Sequence, residues 1–167
     1  SIDAGQNGGS HTFEVWVKRI DSGNNNTLLL HGDNYGIKIE QYNQSNKVGF
    51  TRYGSYDHQF NHSATIAEWE HIAIVNNSSK TYLYVNGTVT DSSNRINWKL
   101  PMNSIGAAGN ATLYGTIDEM RIWNDARTAA EIADNMELEL NGDEDDLIAY
   151  YKMSNGSGTT LTDNSTN

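Results

Sequence analysis

His11-Thr-Phe-Glu-Val-Trp-Val-Lys18 alternates apolar and polar side chains with a period of two, so Phe13, Val15 and Val17 point one way and Glu14, Trp16 and Lys18 the other. That is the pattern of a strand with one buried face, and it recurs outward along the chain. Asp21-Ser-Gly-Asn-Asn-Asn-Thr27 reads as a loop, Leu28-Leu29-Leu30 as a buried strand, His31-Gly-Asp-Asn34 as a turn and Tyr35-Gly-Ile-Lys-Ile-Glu-Gln-Tyr42 as the returning strand. Lys47-Val-Gly-Phe-Thr-Arg-Tyr53 places Val48 and Phe50 inward and Thr51 and Tyr53 outward, and Gly54 to Thr65 is expected as a long polar loop able to carry function. Trp69–Val75 and Thr81–Val85 are two further strands. The second is closed by Asn86-Gly87, a pair that tolerates the positive φ of a type I′ hairpin turn. Leu113–Trp123 reads as a long strand with a bulge expected at Gly115. The single helix opens on the capping box Thr128-Ala-Ala-Glu131, buries Ile132 and Met136 on one face and is expected to end at Asn141-Gly142. Leu147–Met153 is the last strand, and 154–167 reads as a linker-like tail.

Many short strands, one short helix and no βαβ alternation predict an all-β, two-sheet antiparallel jelly-roll sandwich over 1–153, one domain within 167 residues. The absence of cysteine excludes disulfide scaffolds, zinc ribbons, thiol nucleophiles and iron–sulfur sites. A net charge of −10 with scattered basic residues argues against nucleic acid as a partner. No run reaches the ~18 apolar residues of a membrane helix, so membrane insertion is not expected. Ser1 reads as a cut end, so neighbouring domains of one parent chain are expected. Strands joined by Asn-, Ser- and Thr-rich turns suggest an extracellular or cell-surface protein.

Four segments in this order resemble the bacterial laminin G-like branch of the concanavalin A-like lectin and glucanase family. They are Thr12–Lys18; Trp69-Glu-His-Ile-Ala-Ile-Val75 with Tyr82-Leu-Tyr-Val-Asn-Gly87; Gly115–Asn124 running into Ala126–Ile132; and Leu147–Met153 with Gly158–Asp163. Members of that family carry one more strand before the first motif, with a Phe-Asp-Gly turn that this chain lacks, so the resemblance implies a trimmed or permuted copy. It implies a secreted or surface accessory module that binds sugars or proteins through variable loops.

Glucanases share the fold, and retaining hydrolysis needs two carboxylates about 5 Å apart. The Glu-x-Asp-x-(x)-Glu strand of laminarinase-type relatives is missing. Asp118 and Glu119 are expected to face opposite sides of their strand, and Glu68 and Glu70 bracket Trp69 at a strand entrance; Glu14 and Glu40 offer cleft carboxylates from separate strands, but solvated surface acids explain them more cheaply, so no enzyme activity is expected. His31, His58, His62 and His71 show no ligand or triad spacing. For carbohydrate binding, aromatic faces among amides and hydroxyls are needed, and Tyr42, Tyr53, Tyr56, His58 and Trp98 are the candidates. Trp16, Trp69 and Trp123 are expected in the core. The resemblance also implies a structural calcium (Ca2+) on Asp118, with Asp3 as its partner by position. The expected partner is a glycan or polysaccharide. The alternative is a protein-binding adhesion or spacer module meeting a cell-surface protein.

Overall fold

The computed structural model describes residues 9–21, 27–41 and 46–166. The strands are β1 (His11–Arg19), β2 (Thr27–His31), β3 (Tyr35–Glu40), β4 (Lys47–Arg52), β5 (Tyr56–Ser63), β6 (Trp69–Asn76), β7 (Thr81–Val85) and β8 (Thr88–Ser93). They continue as the short β9 (Ser104–Ile105), β10 (Ala107–Ala108) and β11 (Ala111–Thr112), then β12 (Gly115–Trp123), helix α1 (Ala129–Asn135) and β13 (Leu147–Tyr151). A six-stranded sheet in the order β13-β12-β1-β6-β7-β8 faces a five-stranded sheet in the order β5-β4-β3-β2-β9, and β10 and β11 form a small hairpin. Among the described residues the strand pairs are antiparallel, and one parallel bridge joins Arg19 to Ile66.

Alternation decides which face is buried. Phe13, Val15 and Val17 meet Ile72, Ile74, Leu83 and Ile122 of their own sheet, and pack on Ile37, Ile39, Val48, Phe50 and Phe60 of the other. Burying each such side chain contributes roughly 1.5–3 kcal/mol. Asn86 and Gly87 adopt φ 49° and 75°, the I′ turn the sequence demands, and the Asn86 side-chain oxygen accepts from the His71 amide at 2.9 Å.

Several expectations are corrected. The stretch after Gly54 is mostly strand β5, whose Tyr56, His58 and Phe60 surround Phe50. The bulge in β12 lies near Glu119 (φ 50°), where Trp16 pairs with Asp118 but Glu14 pairs with Arg121. Gly115 instead permits close approach, since a Cβ there would stand 2.5 Å from the Lys18 carbonyl. Helix α1 has its capping box but ends at Asn135, ahead of the expected stop. The tail is no detached linker: Asp163 Oδ1 accepts from the Tyr150 amide, the Asn164 amide donates to the Tyr150 carbonyl, and the Thr166 amide donates to the Gly142 carbonyl.

The outer face of the six-stranded sheet is covered by α1 and the segment after it. Ile132 packs on Ala73 and Val75, and Trp16 Nε1 donates to the Met136 carbonyl at 2.7 Å. Under this cover Glu14 is buried 3.3 Å from His71 Nε2. Arg121 is buried against the Asn135 and Leu138 carbonyls and Glu119. Against the outer face of the five-stranded sheet lie Tyr53 and the β10–β11 hairpin, with clefts between them.

Candidate functional site

On that face the outward positions of β3 and β4 include Gly36, Lys38, Thr51 and, just past β4, Tyr53. Gly36 matters here: a Cβ would stand 2.5 Å from Tyr53 Oη, so only glycine lets the tyrosine lie down over the sheet. The Tyr53 ring is tilted on His31 with 5.5 Å between centroids, and it remains 38% exposed. Two clefts meet beside it. One of about 350 Å³ is lined by Lys38, Thr51, Tyr53, Tyr56 and Asp57 with the β4–β5 turn. The other, about 300 Å³, is lined by His31, Lys38, Tyr53 and residues 108–111 of the β10–β11 hairpin.

The polar groups are ordered around this aromatic floor. Thr51 Oγ1 donates to Asp57 Oδ1 at 2.6 Å and lies 3.1 Å from the Gln41 side-chain oxygen. Burial pushes the Lys38 ammonium below its usual range, and Asp57 works the other way. Burial, and then Asp57, raises the Tyr53 phenol, which stays a neutral donor. The face thus offers one aromatic ring, an ammonium, a carboxylate, hydroxyls and an imidazole around about one sugar ring's width of open space, the composition a carbohydrate subsite requires.

The other candidates are dispersed. Tyr56 lines the first cleft but leans inward on Phe50 with Arg95 at 4.1 Å from its ring. His58 also faces inward, onto Phe50 and Phe60, and burial followed by Arg95 lowers its pKa. Trp98 is corrected to a core residue. It is 0% exposed, stacked on Phe50 at 4.6 Å, with Nε1 donating to Thr81 Oγ1 at 3.0 Å, so neither ring face reaches a ligand. Tyr42 and Asp3 lie outside the described residues.

The acids differ from expectation too. Glu14 is buried beside His71, and Glu40 is buried with Arg19 Nη2 and Thr27 Oγ1 donating to its two oxygens. Neither is a solvated surface acid, and neither opens on a cleft. Glu70 is held below the usual carboxylate range by His62 and Thr65, against its burial.

A third cleft, about 430 Å³, opens on the six-stranded side between Trp16, Trp69, Asp118, Glu119, Met136, Glu137, Leu138 and Glu139. Trp69 was expected in the core but is 42% exposed, because it pairs with outward-facing Lys18 at the start of β6. The bulge at Glu119 brings Asp118 and Glu119 to the same cleft rather than to opposite faces. Glu119 is engaged by Arg121 and Tyr150, and Glu139 by Lys152 at 2.8 Å. Asp118 accepts only a backbone bond from Glu119 at 3.1 Å. Among the described residues no three of His, Asp and Glu gather as a metal-holding group, so Asp118 offers one hard oxygen and the described residues do not complete a calcium site.

A family model described as the concanavalin A-like lectin/glucanases superfamily, of laminin G type, matches residues 2–133. No curated protein matches the chain. Among solved structures, a Bacteroides ovatus protein inferred to bind carbohydrate is similar at 22% identity and TM-score 0.78, over 95% of this chain and 50% of that one. Domain 4 of an extracellular arabinanase from Geobacillus stearothermophilus, in complex with arabinotriose, is similar at 17% identity and TM-score 0.59, over 80% and 68%. The pentraxin of Limulus polyphemus is similar at 14% identity and TM-score 0.52, over 74% and 68%. The chain therefore spans about half the length of the Bacteroides ovatus protein.

Proposed function

Because the chain belongs to the concanavalin A-like lectin/glucanase superfamily, we propose that it is a non-catalytic carbohydrate-binding module of a larger secreted or cell-surface protein, binding a glycan on the outer face of its five-stranded sheet. The observation that carries this reading is the half-exposed Tyr53 ring, seated on Gly36 between two clefts and ringed by Lys38, Thr51, Asp57 and His31. Glycan-bearing relatives of the same fold support it, domain 4 with its arabinotriose above all. Against catalysis stand Glu14, buried beside His71, and Glu40, buried with Arg19 bonded to it, where neither could flank a glycosidic bond.

A second location is favoured by one observation, the exposed Trp69 in the cleft with Trp16. Retention on a panel of insoluble and soluble polysaccharides separates the two. Tyr53→Ala is expected to abolish retention and Trp69→Ala to leave it unchanged; the reverse result transfers the site to the six-stranded side. Silence of the native protein across the whole panel overturns the carbohydrate reading in favour of a protein partner. The proposal includes a structural calcium ion with Asp118 and Asp3 as its side-chain ligands, which melting in calcium and in chelator tests.

A further inference from the structure

Glu14, Glu40, Lys38 and Arg121 are charged side chains buried on the outward side of the two sheets without being core residues. Arg19 bonds Glu40, Arg121 bonds Glu119, and Glu14 lies 3.3 Å from His71 Nε2. Lys38 has no bonded counter-ion; its electrostatic partner is the Asp57 carboxylate, which lines the same cleft. Among the described residues its ammonium donates no hydrogen bond and joins no ion pair, although the residue is only 5% exposed. Its surroundings are the Tyr53 ring, 6.0 Å from Nζ to the centroid, and the Asp57 carboxylate, which is already bonded by Thr51. Holding an ammonium in this partly desolvated place with no bonded partner opposes folding, and an apolar side chain would avoid that cost.

The place of this ammonium explains its presence. Lys38 is one of two side chains, with Tyr53, that line both clefts of the open face. A cation set into a low-dielectric floor and aimed at open space is a prearranged partner for an anion, because much of its hydration is already lost before the ligand arrives. The aromatic ring beside it requires that the anion be carried by something flat and C–H rich. With only 6.0 Å between Nζ and the ring centroid, the charge must sit directly on the ring that rests upon Tyr53. A carboxylate at the sugar ring meets that condition.

Resting on the carbohydrate reading above, we propose that this face selects an acidic sugar: a uronic acid residue whose C–H face lies on Tyr53 and whose carboxylate accepts from Lys38 Nζ. For a protein of net charge −10 this is selection against the general field. Attraction therefore has to come from this local group.

The test is affinity electrophoresis and calorimetry of the full chain on polygalacturonate, alginate and glucuronoxylan. Each polymer is paired with the same polymer after its carboxyl groups are reduced to neutral alcohols, and dextran sulfate is a separate arm. At least one uronate polymer is expected to bind, its reduced form at least about tenfold more weakly, the usual worth of a charge-assisted hydrogen bond. Lys38→Met is expected to lose the same factor while Lys80→Gln, an exposed charge in the β6–β7 turn, loses none. Should Lys38→Met fail to fold, the reduced polymers still decide the matter. Equal binding of native and reduced polymers overturns the acidic-sugar inference and leaves the carbohydrate reading standing. Binding to dextran sulfate alone overturns the carboxylate assignment, and binding to no polymer, acidic or neutral, removes the carbohydrate reading itself.

Discussion

His11 shows how a single buried side chain ties this fold to pH. Burial drives its pKa down to about 4, against a partial correction from its bond to the Gly9 carbonyl. Below the unfolded value of about 6.5, the unfolded chain takes up a proton that the folded chain refuses until near 4. Stability is therefore full above about pH 6.5 and falls as the pH is lowered from there toward 4, by about 3 kcal/mol in all. His58, lowered by burial and Arg95, acts in the same direction. Glu70, held low by His62 and Thr65, adds stability above its unfolded value that is lost as the pH drops through its folded one. Urea midpoints measured between pH 4 and 8 should fall on the acid side, and His11→Gln should flatten that slope. At the same scale, Lys38→Met should raise the melting temperature, since desolvation of the ammonium costs more than its unbonded attraction to Asp57 returns; a lower melting temperature would mean that the attraction to Asp57 outweighs that cost. Trp98→Ala should destabilise by about 3–5 kcal/mol, the cost of a core cavity.

At the scale of elements, the alternating stretches were readable because each needs only its own residues to declare a buried face, as Phe13, Val15 and Val17 do. Strand β5 was not readable. Tyr56-Asp-His-Gln-Phe-Asn-His-Ser63 contains no aliphatic residue, and its inner positions become apolar surroundings only when Phe50 supplies the other half. The acids were misread for a related reason. Glu14 and Glu40 look solvated until His71 and Arg19 arrive from other strands. Of the site, Tyr53 was legible as an outward aromatic. Lys38 and Gly36 were not, because their meaning lies in what the β3–β4 pairing sets beside them. The helix cap was fully legible. Thr128→Ala should cost about 1 kcal/mol in urea unfolding, since Thr128 Oγ1 accepts from the Glu131 amide while Glu131 returns the bond.

For the whole molecule, two additions to the sandwich can be weighed. Removing the tail after Met153 unpairs the Tyr150 backbone and exposes the Gly142 carbonyl, so it should lower the melting temperature by several degrees. An unchanged value would return the tail to the status of a linker. Chelation tests the proposed ion. A bound calcium raises the melting temperature with its concentration according to RT ln(1 + [L]/Kd), so the protein should melt lower in chelator than in calcium, and Asp118→Asn should erase the difference. Identical curves would sink the metal.

The order of the six-stranded sheet has a kinetic meaning. β1 sits between β6 and β12, so its partner on one side is made about a hundred residues after it. Until residue 123 has been synthesised, β1, which carries Phe13, Val15 and Val17, has one bare edge, although β6 on its other side is already made. Pairings of such long range form late and slowly, in milliseconds to seconds rather than microseconds. The nascent chain must therefore keep that edge guarded until β12 has emerged, and the six-stranded sheet closes around β1 only then.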